Sequence, residues 1–168
     1  YQLHSSKVPV VIMFFTTFFS VRTYAQTPAQ SIPSFTFFKL DQTPFTNTNV
    51  ASGKESLFIF FDVTCDHCQH TIGTLSKRIN ECSKIAIYLI SLEDKTAITN
   101  FFNQYGKNLP AQKNVTILQD SKNQFITQFS PRKYPSVFLY SVQKKLLLYD
   151  DEDQYLEKFF KIINPTKK

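Results

Sequence analysis

A short apolar run that leads into two closely spaced cysteines restricts this chain to few folds. Residues 57–61 are Leu-Phe-Ile-Phe-Phe without a polar interruption, and Cys65 and Cys68 follow. A run of this length and composition is typical of a strand that a parallel sheet covers on both faces. Beyond it, apolar and thiol residues recur at intervals of three and four, which predicts one helix face. That face comprises Cys65, Cys68, Ile72, Leu75, Ile79 and Cys82.

The pattern after this helix continues the alternation of strands and helices. A second apolar strand at residues 85–92 completes a predicted βαβ unit. The stripe of Ile98, Phe101, Phe102 and Tyr105 predicts a helix from residue 94, which Gly106 ends. A single α/β domain at residues 26–168 accounts for the whole pattern. The other predicted elements are strands at 35–40, 115–118, 136–141 and 144–149 and helices at 123–129 and 156–163, with residues 31–49 otherwise polar and turn-rich.

The first 25 residues differ from the rest in composition. Residues 8–21 carry no charge, Lys7 precedes them and Arg22 follows, and Thr23-Tyr24-Ala25 is an acceptable cleavage site. Fourteen residues are fewer than the roughly 20 that a membrane-spanning helix needs. We therefore expect residues 1–25 to be a signal peptide, the alternative being an uncleaved membrane anchor. The protein would then act outside the cytoplasm, periplasmic or secreted, where disulfides persist.

Charge and composition exclude several classes of function. The whole chain has a formal net charge of +6, and residues 26–168 carry 17 basic against 13 acidic side chains. The lysines are scattered rather than interleaved with aromatics in a stripe, so the sequence does not predict nucleic-acid binding. Three glycines leave little from which to build a phosphate-binding loop or a dinucleotide fingerprint. Three cysteines are too few for a disulfide scaffold.

The sequence Cys65-Asp66-His67-Cys68 carries the predicted chemistry. Its position between a buried strand and a helix places Cys65 at the helix N-terminus, where unpaired N–H groups and the dipole favour a thiolate. The thiolate is the attacking species in disulfide exchange, so Cys65 is the predicted nucleophile. Cys68 belongs to the buried face and is the predicted resolving thiol. Asp66 and His67 would tune the redox balance in opposite directions by their charges.

Other uses of the cysteines are less favoured. A purely structural Cys65–Cys68 disulfide would close a very small loop and add little stability. Zinc would need four ligands, and no second Cys/His cluster accompanies His67 and His70. Covalent haem attachment would need His directly after Cys68, where Gln69 stands. Cys82 lies roughly 20 Å further along a continuous helix, beyond the reach of a disulfide with Cys68, and is predicted to be a buried bystander. We thus expect neither a metal nor a cofactor.

Tyr134-Pro135 precedes the predicted strand at residues 136–141. The proline is compatible with the first position of a strand or with a sheet edge. The alternative is a cis-proline loop that lies against the cysteines. The sequence leaves both interpretations open.

Together these motifs resemble the thioredoxin fold and, within it, the extracytoplasmic TlpA/ResA-like thiol-disulfide oxidoreductases. The resemblance covers residues 31–163 and rests on residues 32–36, on 58–61 running into the cysteine pair, and on 134–139. It implies a central mixed sheet flanked by helices, with residues 93–120 as the helix-and-strand insertion of that group. It also implies that Cys65 attacks, that Cys68 resolves, and that Pro135 with Tyr134 and Thr64 shapes a substrate groove.

The chain departs from that family at two positions. Thr64 replaces the Trp that usually precedes the first cysteine, and Ile59 holds the position of a buried acid. The favoured hypothesis is a monomeric oxidoreductase that exchanges disulfides with protein thiols and is recharged by an upstream redox partner. The alternatives are a binding module without enzymatic activity and a thiol peroxidase, which would need a Pro and a Thr several residues before its cysteine.

Overall fold

The computed structural model describes residues 26–152 and 155–165. The predicted signal segment, residues 1–25, lies outside the described residues. Among the helices of the described part, none is long and apolar enough to cross a membrane.

One mixed β-sheet forms the centre of the described structure. Its strand order is β2-β1-β5-β4-β3-β6-β7. β3 pairs in parallel with β4, and β4 with β5, whereas the other neighbours are antiparallel. The predicted α/β class with a central mixed sheet is confirmed. The strands are β1 (Thr36–Lys39), β2 (Pro44–Thr46), β3 (Ser56–Phe60), β4 (Ala86–Ser91), β5 (Val115–Gln119), β6 (Ser136–Tyr140) and β7 (Leu146–Asp150).

Helices cover both faces of this sheet because side chains alternate along its central strands. In β3, Leu57 and Ile59 face a core with α1, α2 and α4, whereas Phe58 and Phe60 face an aromatic core with α3. All five residues of β3 are buried, as predicted for a strand covered on both faces. The helices are α1 (Asp66–Arg78), α2 (Lys95–Tyr105), α3 (Gln124–Phe129) and α4 (Tyr155–Ile163), and 3₁₀ turns occupy Asn47–Asn49, Ile79–Cys82 and Leu109–Ala111.

The predicted βαβ unit is present as β3, α1 and β4. Leu57 of β3 pairs with Ile87 of β4 in parallel register. The predicted limits of α2 are also confirmed: the Asp94 carboxylate accepts a hydrogen bond from the Ala97 N–H at 2.8 Å, and Gly106 caps the other end. Residues 93–120 contain α2 and β5, so they hold a helix and a strand. Whether this segment marks the TlpA/ResA group stays a prediction.

Three expectations need correction. The helix is not continuous to Cys82: α1 ends at Arg78, whose φ of −109° and ψ of 13° are not helical, and the chain continues as the 3₁₀ turn Ile79–Cys82. The stretch at residues 31–49 contains a second strand, β2, which pairs antiparallel with β1 and buries Phe45. A three-residue strand with one apolar side chain leaves no alternating pattern in the sequence. The last strand begins at Leu146 rather than Lys144, because Lys144 has φ of 61° and belongs to the turn after β6.

Candidate functional site

The site begins where β3 ends and the chain turns toward α1. The Phe61 N–H still donates to the Ile90 carbonyl, which extends the pairing with β4 by one residue. The Asp62 Oδ1 atom then accepts hydrogen bonds from the Thr64 N–H at 2.7 Å and from the Thr64 hydroxyl at 2.6 Å. An Asp that bonds the backbone two residues later is a common turn-forming device. This turn directs the chain from the sheet into the helix.

Cys65 occupies the N-cap position of α1. Its φ and ψ are −84° and 118°, and its carbonyl accepts the first helical hydrogen bond from the Gln69 N–H at 3.1 Å. Its own N–H donates to the Asp62 carbonyl at 3.3 Å. The Cys65 side chain makes no capping hydrogen bond and is half-buried. Cys65 is therefore partly exposed at the end of a helix that favours negative charge.

Cys68 lies one turn further into α1 and has no exposed surface. The Asp62 N–H donates to its Sγ atom at 3.4 Å. Burial raises the pKa of the Cys68 thiol, and so do a hydrogen bond with the Cys65 side chain and the charge of Asp62. The Asp62 N–H acts in the opposite direction. The two thiols are thus adjacent but unequal, one accessible and one enclosed.

Asp66 and His67, the predicted redox-tuning residues, lie in the first turn of α1, and both are exposed. Asp66 is the acidic residue of that turn, a position where a carboxylate stabilises the helix through its dipole. Both side chains therefore lie on the turn of helix that separates Cys65 from Cys68.

The predicted groove residues differ in burial. Thr64 is exposed, Tyr134 is half-buried, and Pro135 is buried with a cis peptide bond before it. The structure thus adopts the cis-proline alternative. Burial raises the pKa of Tyr134 to about 12, and the charges of Asp62 and Cys68 contribute to that rise. Tyr134 packs against both cores, including the one that contains Cys68.

Ile59, at the position of the family's buried acid, is fully enclosed in the same core as Cys68. It pairs with Val137 of β6, and Val137 pairs with Asp150 of β7, so this row across the sheet ends in a buried carboxylate. Asp150 was not among the predicted site residues. Its Oδ1 atom contacts the Lys158 ammonium at 3.2 Å. This acid therefore belongs to an ion pair at the start of α4.

Cys82 lies in the 3₁₀ turn after α1 and is fully buried. Burial raises the pKa of its thiol to about 12. Its carbonyl accepts a hydrogen bond from the Asn114 side chain at 2.8 Å, which ties the turn to the segment before β5. These contacts place Cys82 in the helix–sheet core, apart from the turn that holds the other two thiols.

Asp62 contributes more to the site than the sequence alone suggested. Its backbone contacts both cysteines, and its carboxylate holds Thr64. An Asp two residues before a Thr, directly after a buried strand, is the sequence signal that indicates such a turn. Within the described residues, no three His, Cys, Asp or Glu side chains come together as a metal-ligand set.

Comparison with known proteins gives both a family and a fold. The model of the family described as AhpC/TSA matches residues 28–148. A secreted Mycobacterium tuberculosis disulfide oxidoreductase is 19% identical with a TM-score of 0.62, covering 76% of this chain and 95% of its own. A thiol-disulfide oxidoreductase from Bacteroides fragilis is 18% identical with a TM-score of 0.63, covering 79% and 98%.

The fold is also similar to that of a peroxidoxin from Mycobacterium tuberculosis. That structure is 12% identical with a TM-score of 0.67, and the alignment covers 86% of this chain and 100% of that one. A comparison with curated protein sequences gives no match. These structural similarities confirm the predicted thioredoxin-like fold.

Proposed function

This chain belongs to the AhpC/TSA family, and we propose that it is a thiol-disulfide oxidoreductase acting on protein partners through Cys65 and Cys68. The observation that carries this proposal is the pairing of an accessible thiol at a helix N-terminus with an enclosed thiol one turn behind it. Disulfide exchange needs this division, because one sulfur must meet the partner while the other waits for the intermediate.

The first step is attack by the Cys65 thiolate on a disulfide of the partner protein. One sulfur–sulfur bond forms between Cys65 and the partner, and the partner's own disulfide breaks. The second partner sulfur leaves as a thiolate and takes up a proton. The helix N-terminus stabilises the attacking thiolate because its free N–H groups carry partial positive charge.

The second step is attack by the Cys68 thiolate on the Cys65 sulfur. This forms the Cys65–Cys68 disulfide and releases the partner as a dithiol, so two electrons pass from this protein to the partner. The reverse sequence would oxidise a partner. The raised pKa of Cys68 favours its protonated thiol in the reduced protein, so this proton must leave before Cys68 attacks. The Asp62 N–H, which contacts this sulfur, would support the thiolate when it appears.

We assign Thr64, Tyr134 and Pro135 to the surface that the partner's cysteine approaches, and Asp66 and His67 to tuning of the redox balance. The resemblance to TlpA/ResA-like proteins favours reduction or isomerisation of partner disulfides over bulk oxidation. An upstream redox partner would restore the dithiol. We place the reaction outside the cytoplasm because of the composition of residues 1–25.

Trapping of partners tests the proposal. The Cys68→Ser variant should accumulate mixed disulfides through Cys65, since the resolving thiol is absent, and the wild type should reduce insulin in the presence of a dithiol. Cys65→Ser should do neither, whereas Cys82→Ser should behave as the wild type. If no partner is trapped and no thiol-dependent turnover occurs, the proposed function is wrong.

The family and the similar peroxidoxin make thiol peroxidase the second candidate. Its sequence requirement is not met at Cys65, because Thr64 is adjacent and Asp62 directs its hydroxyl into the turn. Consumption of hydrogen peroxide by the reduced protein, measured beside insulin reduction, separates the two activities. A binding module without enzymatic activity predicts instead that Cys65→Ser retains function in the cell.

A further inference from the structure

A small pocket lies beside the loop that precedes Pro135. It has a volume of about 210 Å³, below the roughly 300 Å³ at which small-molecule sites usually begin. A pocket of that size suits one large side chain better than a cofactor. We call it the side pocket; its lining residues are Phe60, Ile126, Pro131, Arg132, Lys133 and Tyr134.

Tyr134 connects the side pocket to the cysteine site. Its ring centroid lies 4.6 Å from that of Phe60, which also lines the side pocket. The same side chain packs against the core that contains Cys68, and Cys65 packs against that core as well. A partner whose cysteine reaches Cys65 would therefore have neighbouring residues close to the side pocket.

The side pocket combines an apolar wall with a cationic rim. Ile126 of α3 is 38% exposed, a large fraction for an isoleucine, and Pro131 and Phe60 are buried behind it. Arg132 and Lys133 are cationic, and no carboxylate belongs to the lining; the Asp151 carboxylate, outside the lining, forms an ion pair with Arg132. Lys133 is exposed, and it takes part in none of the ion pairs between described residues. An apolar wall with a free cation beside it suits an apolar group next to an acidic one.

Arg132 is held in place at this rim. Its Nε atom donates to the Asp151 carboxylate at 2.9 Å, and its guanidinium lies 4.7 Å from the centroid of the Tyr149 ring. Its side chain nevertheless remains 53% exposed, so the remaining N–H donors are available to a partner. A fixed cation loses little freedom when a partner carboxylate binds.

We propose that the side pocket selects protein partners in which a large apolar residue, followed by an acidic residue, lies near the reacting cysteine. This rests on the proposed function, because the cysteine chemistry brings the partner there. The whole chain carries a net charge of +6, so a second copy of this protein suits a cationic rim less well than an acidic partner. The side pocket would therefore serve substrate choice rather than self-association.

Single-turnover reduction of model disulfides tests this specificity. The probes are twelve-residue peptides joined through one cysteine to a fluorescent thiol, with Leu-Glu placed one to four residues from the cysteine on either side. Matched peptides carry Ser-Lys instead, and 5,5′-dithiobis(2-nitrobenzoate) is the small reference disulfide. We expect the reduced wild type to favour a Leu-Glu peptide by about tenfold at the best spacing, because burying one apolar group discriminates to this degree.

Variants assign the preference to the side pocket. Ile126→Ser should remove the preference for Leu, and Lys133→Glu should remove the preference for Glu. Each preference is the rate with the peptide divided by the rate with the reference disulfide. The matched controls are Leu147→Ser, which removes an apolar residue of 47% exposure on β7, and Lys113→Glu, an exposed lysine elsewhere. Both controls should retain the preference.

The side-pocket proposal would be overturned by equal rates for the two peptide types, or by an equal loss of the preference in the control variants. The proposed oxidoreductase function would not be affected by either result. If even the reference disulfide is not reduced through Cys65, the proposed function fails, and the side-pocket proposal fails with it. The reference reaction thus distinguishes the two failures.

Discussion

The backbone N–H of Asp62 donates a hydrogen bond to the Sγ atom of Cys68 at 3.4 Å. The carbonyl of the same residue accepts from the N–H of Cys65, so one residue of the turn contacts both cysteines. Its carboxylate is bound to Thr64, and its negative charge opposes ionisation of Cys68. The backbone and the side chain of Asp62 therefore act on the resolving thiol in opposite directions.

Removal of this charge should make Cys68 easier to ionise. Asp62→Asn keeps the backbone N–H and an acceptor for Thr64. It loses the charge that contributes to the raised pKa of Cys68, after burial and the hydrogen bond and charge of Cys65. Loss of that charge lowers the pKa of Cys68 and so raises the fraction of Cys68 present as thiolate near neutral pH. We expect the pH–rate profile for release of a small thiol from the Cys65 mixed disulfide to move to lower pH.

Asp41→Asn is the matched control for this charge effect. The Asp41 Oδ1 atom also accepts from the N–H two residues later, that of Thr43, but it lies in the exposed loop after β1. The pH–rate profile of the Asp41→Asn variant should coincide with that of the wild type. A shift of Asp62→Asn to higher pH, or an equal shift in both variants, would contradict the electrostatic role of Asp62.

Two glycines test how tightly α1 is packed behind the cysteines. A Cβ atom at Gly106 would lie 2.8 Å from Ile72 Cγ2 and 3.0 Å from Leu109 Cδ1, so Gly106→Ala overpacks the contact between α1 and α2. We expect the free energy of unfolding to fall by about 1–3 kcal/mol. Urea unfolding measures this change.

Gly73→Ala is the companion variant, because it changes the same residue type within α1. A Cβ atom there would meet only the Tyr105 carbonyl oxygen, at an ordinary 3.7 Å. The higher helix propensity of alanine should raise the free energy of unfolding by up to about 1 kcal/mol. If both variants are destabilised alike, the close packing around Gly106 is not the cause.

Cys82 should make the stability of the protein depend on pH in alkaline solution. Its folded-state pKa is raised from 9.0 to about 12 by burial, so the unfolded chain loses this proton at lower pH than the folded protein does. The stabilisation is complete below pH 9 and is lost as the pH rises toward 12. The slope contributed by one such group is at most about 1.4 kcal/mol per pH unit.

This contribution is measured by urea unfolding of the oxidised protein between pH 8 and about pH 10.5. In that form Cys65 and Cys68 do not titrate, so only Cys82 differs between the wild type and Cys82→Ala. We expect the wild type to lose more stability than the variant over this range. If the unfolding free energies of the wild type and the variant change in parallel with pH, Cys82 is not enclosed as described.

The central βαβ unit and the position of the cysteine pair were predictable from the sequence, because each depends on local periodicity. Residues 57–61 are apolar throughout, and Cys68, Ile72 and Leu75 recur at helical spacing and are fully buried. The predicted α3 also follows from a local signal: the buried Asp120 carboxylate accepts from the Phe125 N–H at 2.7 Å.

What the sequence could not predict depends on contacts between distant segments. β2 is a strand only because it pairs with β1, and its three residues carry no pattern of their own. The side pocket forms where Ile126, Phe60 and the loop before Pro135 meet, residues that lie far apart in the chain. The hydrogen bond from Asp62 to Cys68 likewise needs the geometry of the turn.

The most direct test of the central claim is to identify which cysteines are oxidised and reduced together when the protein is equilibrated with glutathione. Aliquots quenched by alkylation and analysed by peptide mass spectrometry would report each cysteine separately. We expect one two-electron transition that joins Cys65 to Cys68, with Cys82 a free thiol that is alkylated only after unfolding. A disulfide that contains Cys82, or two cysteines that remain independent thiols at every glutathione ratio, would contradict the assignment of Cys65 and Cys68 as the redox pair.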